Sequence, residues 1–337
     1  MAELVREKGS KNLRANIGYS GGEEVLNDFD SRYPWNEIKI ITDENENVWV
    51  RIPKFYTHYV VDENHNIKER YISEYKVDDD WHLNPIFINE EGHELPYVEI
   101  SAYLATLDGG KLYSKTGLTP TTTTPITTMR TAVNAYNSTE SEYNYGLFNI
   151  WTSILEQDLF TIEFANSNIA SILQGYNYNS WKNGIKPNGD SDDISYVTGT
   201  KSANAQDNGT AAMKYRGIEN MTGNGRLVVD GIKINNGDIS VSYDGSSYHN
   251  VELQAITSSG RVQKLRFDSN SKLVFPSVLV ESDSAYVDRY VGNNDANQVI
   301  VRGQTTEDGC GLFATVFISE DNTNKYNTYR MIRRPKN

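Results

Sequence analysis

Residues 213–232 place three glycines, Gly217, Gly223 and Gly225, within nine positions and follow them directly with Leu227-Val228-Val229. Glycine at that density marks backbone that turns at positive φ or lies against other backbone, where a Cβ has no room. The apolar triplet reads as a short buried strand near 226–230, and Asp230-Gly231 reads as the tight turn that closes it. The polar residues between the glycines are expected to serve the fold. Asn220 and Asn224 satisfy local backbone groups, and a buried Glu219 pairs with Arg216.

Short apolar runs separated by polar turns lead up to this stretch. Residues 1–30 are polar and punctuated by Gly9, Gly18, Gly21 and Gly22, the composition of an arm that orders on a partner. β-Branched and aromatic runs at 38–41, 48–52, 55–61, 71–75, 85–88 and 95–104 predict a meander of strands. The turns include Asp43-Glu-Asn-Glu-Asn47 and Asp62-Glu-Asn-His-Asn66. A threonine-rich segment, 116–128, precedes a helix over 129–135. The longer helix follows, because Leu147, Ile150, Trp151, Ile154, Leu155, Leu159 and Ile162 recur at three- and four-residue spacing. Phe148, Phe160 and Phe164 widen that stripe, so the helix needs cover on more than one side, with Trp151 in the core. Further strands are expected at 239–243, 265–267, 286–291, 299–302, 311–318 and 329–333. The chain is thus read as α+β: an arm at 1–30, a β-rich meander at 31–105, and a larger domain at 106–337. That domain has a twisted antiparallel sheet and one or two helices.

Composition removes several function classes. A formal charge of −13 offers no basic field for phosphate, which argues against nucleic acid and membrane insertion alike. The single cysteine, Cys310, permits neither an internal disulfide nor a cysteine-pair metal site, and reads as a small buried hydrophobe. Met1-Ala-Glu-Leu-Val-Arg-Glu-Lys lacks the apolar core of a signal peptide, so the expectation is a protein made in a cytoplasm and released by lysis. The five histidines show no paired spacing on one element and are expected in solvent, without zinc. No GxSxG, P-loop or Rossmann fingerprint occurs, so neither catalytic residues nor a cofactor is assigned. Asp190, Asp192 and Asp193 have no EF-hand spacing, which leaves calcium an open question.

Several phrases resemble phage tail and receptor-binding proteins that end in a C-type-lectin-like domain. They are Phe29-Asp-Ser-Arg-Tyr-Pro-Trp35, Val50-Arg-Ile-Pro-Lys-Phe-Tyr56, Tyr215-Arg-Gly-Ile-Glu-Asn220, Gly309-Cys-Gly-Leu-Phe313 and Arg330-Met-Ile-Arg-Arg-Pro335, in that family's order. The family shares its fold with the display proteins of diversity-generating retroelements and with the formylglycine-generating sulfatase-modifying enzymes. Here the family's tryptophans are replaced around Met221 and at Leu227 and Val229, and the enzymes' cysteine pair is missing. The resemblance implies a virion protein, a tail or fibre homotrimer that docks on other tail proteins through residues 1–30 and binds a host surface glycan or protein without catalysis. A purely structural fibre, decoration or adaptor protein and a cell-envelope depolymerase are the alternatives.

Two stretches have the polar-aromatic composition of adaptable binding loops. One is Tyr176-Asn-Tyr-Asn-Ser-Trp181. The other, which the resemblance places at the variable loops of the display proteins, spans 302–327. Candidate ligand residues are Tyr176, Tyr178, Trp181, Gln304, Thr305, Glu307, Asp321, Asn322, Asn324 and Tyr326. Aromatic rings stack on sugar faces while Asn and Asp bond hydroxyls, which points to a carbohydrate.

Overall fold

The computed structural model describes residues 13–173, 175–201, 209–243, 245–281, 288–303 and 311–336, and the backbone of 4–5. Strands dominate, and with three α-helices among the described residues the chain is a β-rich α+β protein. Two larger sheets carry it. One is antiparallel and runs in the order Tyr143–Leu147, Met331–Pro335, Tyr97–Ser101, Val48–Pro53, Lys39–Thr42. Ile100 faces Ile332 on one side and Val50 on the other, so the last strand closes a sheet begun by the first third of the chain. The main hydrophobic core is likewise continuous from Phe29 to Ile332.

The second sheet runs Tyr248–Gln254, Asp238–Ser242, Arg226–Asn235, Gln298–Gly303, Thr315–Ser319, Arg289–Val291, Ser259–Phe267, Val274–Val280. Arg226–Asn235 is its longest described strand and is buried over most of its length. Asp230-Gly231 lies inside that strand and is not the expected turn. Gly231 adopts φ +71°, the Asp230 carboxylate accepts from the Gly231 N–H at 2.8 Å, and register with the next strand shifts between Val229 and Ile234. That is a β-bulge. The chain reverses at Asn236-Gly237, both at positive φ, between the paired Asn235 and Asp238. Positive φ at both central residues is what a twisted two-residue hairpin demands. Upstream, Gly223 has φ +90°, and a Cβ there would sit 2.4 Å from the Tyr176 carbonyl oxygen.

Helix α1, Ile126–Asn137, packs Ile126, Met129, Ala132 and Val133 against Trp49, Val228 and Met331. Helix α2, Ile150–Phe164, starts later than its periodicity implies because residues 143–147 are drawn into the sheet beside the closing strand. The Asn149 side chain caps it by accepting from the Thr152 N–H. All its residues except Thr161 are buried, including three carboxylates. Each has an arginine: Glu156 meets Arg302, Asp158 meets Arg70, and Glu163 meets Arg216 at 2.5 Å. Buried charge is costly unless paired, so these contacts fix three distant segments around one helix.

The described part of the N-terminal region lies on its own chain. Gly18–Tyr19 pairs with Gly199–Thr200, Leu4–Val5 pairs with Tyr71 and Ile72, and Phe29 is fully buried. Pro85–Phe87, expected in a strand, forms a 3-10 turn capped by Asn84.

Candidate functional site

The fold brings the two sequence-selected stretches together and then consumes them. Tyr178–Trp181 is a single helical turn. Trp181 is fully buried and meets Tyr178 at 5.1 Å and Tyr326 at 5.2 Å, while Tyr178 and Tyr326 lie 5.7 Å apart, all edge to face. Their rings pack on one another, which removes Trp181 as an open platform. Tyr176 is buried with its hydroxyl on Asp190. Asn322 accepts from the Asn324 N–H and from Asn327 Nδ2, and Asn324 accepts from the Tyr326 N–H, so both amides cap turns. Asp321 is exposed. Gln304, Thr305 and Glu307, like Cys310, lie outside the described residues.

Other polar expectations are corrected in the same region. Glu219 does not pair with Arg216. It accepts from the backbone N–H of Gly189 and Ser191 and from Ser191 Oγ, whereas Arg216 reaches Glu163 and Asp30. Burial raises the Glu219 pKa, opposed by those Ser191 and Gly189 bonds. Asn224 holds both backbone groups of Lys186, 38 residues away rather than local, and Asn220 meets no local backbone group with its side chain but the Glu219 carboxylate at 3.5 Å. Asp190, Asp192 and Asp193 diverge onto Lys201, Tyr103 and Ser20.

A cleft of about 1020 Å³ opens elsewhere. Strand Tyr56–Val61 and residues 76–94 supply one wall, and Tyr243, Ser247, His249 and residues 267–272 supply the other. Two imidazoles are stacked into these walls, His58 on Trp81 at 5.6 Å and His82 on Phe267 at 4.7 Å. Tyr59 meets Phe267 edge-on at 4.7 Å and donates its hydroxyl to Asp158 of α2 at 2.6 Å. The walls are joined at their base. The Phe267 N–H donates to the His65 carbonyl at 3.0 Å, and Ser277 Oγ donates to Asn66 at 2.7 Å. Asp62 caps the turn beneath by accepting from the Asn64 and Asn66 N–H groups, which hold its carboxyl down at about 2, with Lys264 helping.

Tyr243 is the exposed ring in this frame. It lies parallel to Trp151, 5.1 Å away with 12° between the planes, and its hydroxyl donates to the Ser271 carbonyl at 3.3 Å. Trp151 is itself fixed, fully buried with its indole N–H on the Ser242 carbonyl at 2.7 Å. Trp151 therefore covers one face of Tyr243 and the His249 ring lies 6.3 Å away, while 38% of the residue, which lines the cleft, stays exposed. A flat, backed ring is what a stacking ligand needs, since little side-chain freedom is lost on binding.

Burial pushes His82 down to about 3, with the Lys272 charge adding to the effect, so its ring is neutral at neutral pH and offers one donor and one acceptor. Glu94 is held below the usual carboxylate range by hydrogen bonds from Lys54 at 2.6 Å and Tyr56 at 2.7 Å. The Tyr56 hydroxyl is pushed up to about 12, first by burial and then by Glu94. Four of the five histidines, His58, His65, His82 and His249, line this one cleft, and His58 and His82 are only partly exposed. The expectation of solvated histidines holds for His65, His93 and His249, which are exposed, and fails for His58 and His82, which the fold packs against Trp81 and Phe267. Apolar ring faces beside fixed polar groups are the common form of a small-ligand site. Neither the models of known families nor the curated proteins include a match to this chain.

Proposed function

We propose that this protein binds a carbohydrate in the cleft walled by Trp81, His82 and Tyr243, without altering it chemically. We further propose that it does so as the receptor-binding protein of a phage tail or fibre. Tyr243 carries the binding reading: it is an accessible aromatic ring held flat by Trp151 inside a cleft rich in hydrogen-bonding groups. The virion setting rests on the ordered resemblance from Phe29 to the C-terminus. In that setting the β-rich α+β body is C-type-lectin-like, the particle form is a homotrimer, and residues 1–30 contact other tail proteins. The host receptor is then a surface glycan.

Incubating the purified protein with host-envelope polysaccharide tests this directly. The expected result is retention on the polysaccharide with no new reducing ends. Release of reducing ends makes the protein a depolymerase instead. Failure to retain any envelope glycan removes the carbohydrate reading.

A further inference from the structure

We infer that the glycan accepted by this cleft is uncharged and that carboxylated or sulfated sugars are turned away; this inference rests on the carbohydrate reading above. Recognition of a carboxylate or sulfate calls for a guanidinium fork or an available ammonium. Among the described residues no arginine lines the cleft, and each of the two lysines that do sits beside a carboxylate or a carbonyl. Lys76 lies 3.0 Å from Asp79 in an exposed pair that offsets its charge locally. Lys272 donates to the Ser269 carbonyl at 2.5 Å, and its partial burial disfavours the charged form. The His82 ring contributes no charge at neutral pH.

Among the described residues four carboxylates line the same space: Asp79, Asp80, Glu90 and Glu94. Asp79 and Glu94 are matched by Lys76 and Lys54, but among the described residues Asp80 and Glu90 have no basic partner. An anionic sugar would meet two unmatched carboxylates, within the field of a chain that carries −13 overall. A neutral sugar meets the same groups favourably. Free carboxylates accept strong charge-assisted hydrogen bonds from hydroxyls, Asn89 and His82 add neutral donors and acceptors, and Tyr243 takes the apolar ring face.

The test is binding of a glycan panel containing pairs that differ only in oxidation at C6, such as β-1,4-linked oligomannose and oligomannuronate of equal length. Wild-type protein is expected to bind neutral members roughly threefold to tenfold more tightly than their carboxylated partners, which is what two exposed charges supply. The variant Asp80→Lys/Glu90→Lys changes two exposed side chains, so folding is not at stake, and it should close most of that gap. Salt at about 1 M, where screening acts over about 3 Å, should narrow the gap in wild-type protein as well. Equal or tighter binding of the carboxylated member overturns the inference and leaves the carbohydrate reading intact. A neutral preference that survives both charge reversal and salt also overturns it, since charge would not be the cause. Binding of no member removes the carbohydrate reading and this inference together.

Discussion

Replacing Trp151 by alanine strikes α2 and the cleft in one step. The residue is fully buried, its ring backs Tyr243, and its Nε1–H satisfies the Ser242 carbonyl. Truncating a buried aromatic side chain to alanine costs about 3–5 kcal/mol. The stranded Ser242 carbonyl adds about 1 kcal/mol, which places this variant at the upper end of that range. Total stability of a folded protein is only about 5–15 kcal/mol, so the loss is large but leaves a folded fraction to study. Trp151→Phe separates the contributions, because it keeps most of the ring and forfeits the N–H, at about 1–2 kcal/mol. Urea melts followed by circular dichroism give both numbers, provided the slope with denaturant is unchanged. Glycan titration of the still-folded samples adds the second readout: the alanine variant should bind weakly because Tyr243 has lost its support, and the phenylalanine variant should bind nearly as well as wild type. A stability loss below about 1 kcal/mol for Trp151→Ala, at unchanged slope, refutes the placement of this ring.

Other perturbations read other parts of the structure. Gly223→Ala forces a Cβ against the Tyr176 carbonyl at positive φ and should cost about 1–3 kcal/mol in the same melts. Arg216→Leu leaves Glu163 buried without its cation and should cost about 3–5 kcal/mol, with Glu163→Gln in the same chain recovering part of it; additive losses would show that the pair is not coupled. His82 sets a pH window. The unfolded chain binds its proton below about pH 6.5 while the folded ring, at about 3, does not, so stability should fall as pH drops through that interval. The slope is at most about 1.4 kcal/mol per pH unit, and His82→Gln should flatten it in melts run at stepped pH.

Local rules in the sequence went as far as local physics reaches. Three- and four-residue spacing located α2 and its core tryptophan, and the β-branched runs located half of the described strands, missing among others Tyr143–Leu147, Tyr248–Gln254 and Val274–Val280. The glycines at 217, 223 and 225 do take positive φ. Asp230-Gly231 misled because the same backbone conformation serves a turn and a bulge, and only the neighbouring strand Gln298–Gly303 distinguishes them. Asn236-Gly237 was the better turn signal, two positions past the end of the apolar alternation. Tyr176–Trp181 had the composition of a binding loop but met Tyr326, so its rings were buried by a partner about 150 positions away. The cleft was hidden for the same reason. Its walls come from residues 56–94 and from Tyr243, His249 and residues 267–272, and no spacing links His58 or Trp81 to Tyr243. Glu219 likewise found its hydrogen bonds at Gly189 and Ser191 and not at the arginine three residues away.

Titration calorimetry with a host-envelope polysaccharide, comparing wild-type protein with Tyr243→Ala and Tyr178→Ala, places the ligand at one aromatic cluster or the other. Binding in the cleft predicts that Tyr243→Ala weakens affinity by more than about tenfold, or about 1.4 kcal/mol, at an unchanged melting temperature, while Tyr178→Ala leaves affinity as it was. Loss of affinity in Tyr178→Ala with Tyr243→Ala unaffected would contradict it, and would return the ligand to the surface formed by Tyr178 and Tyr326.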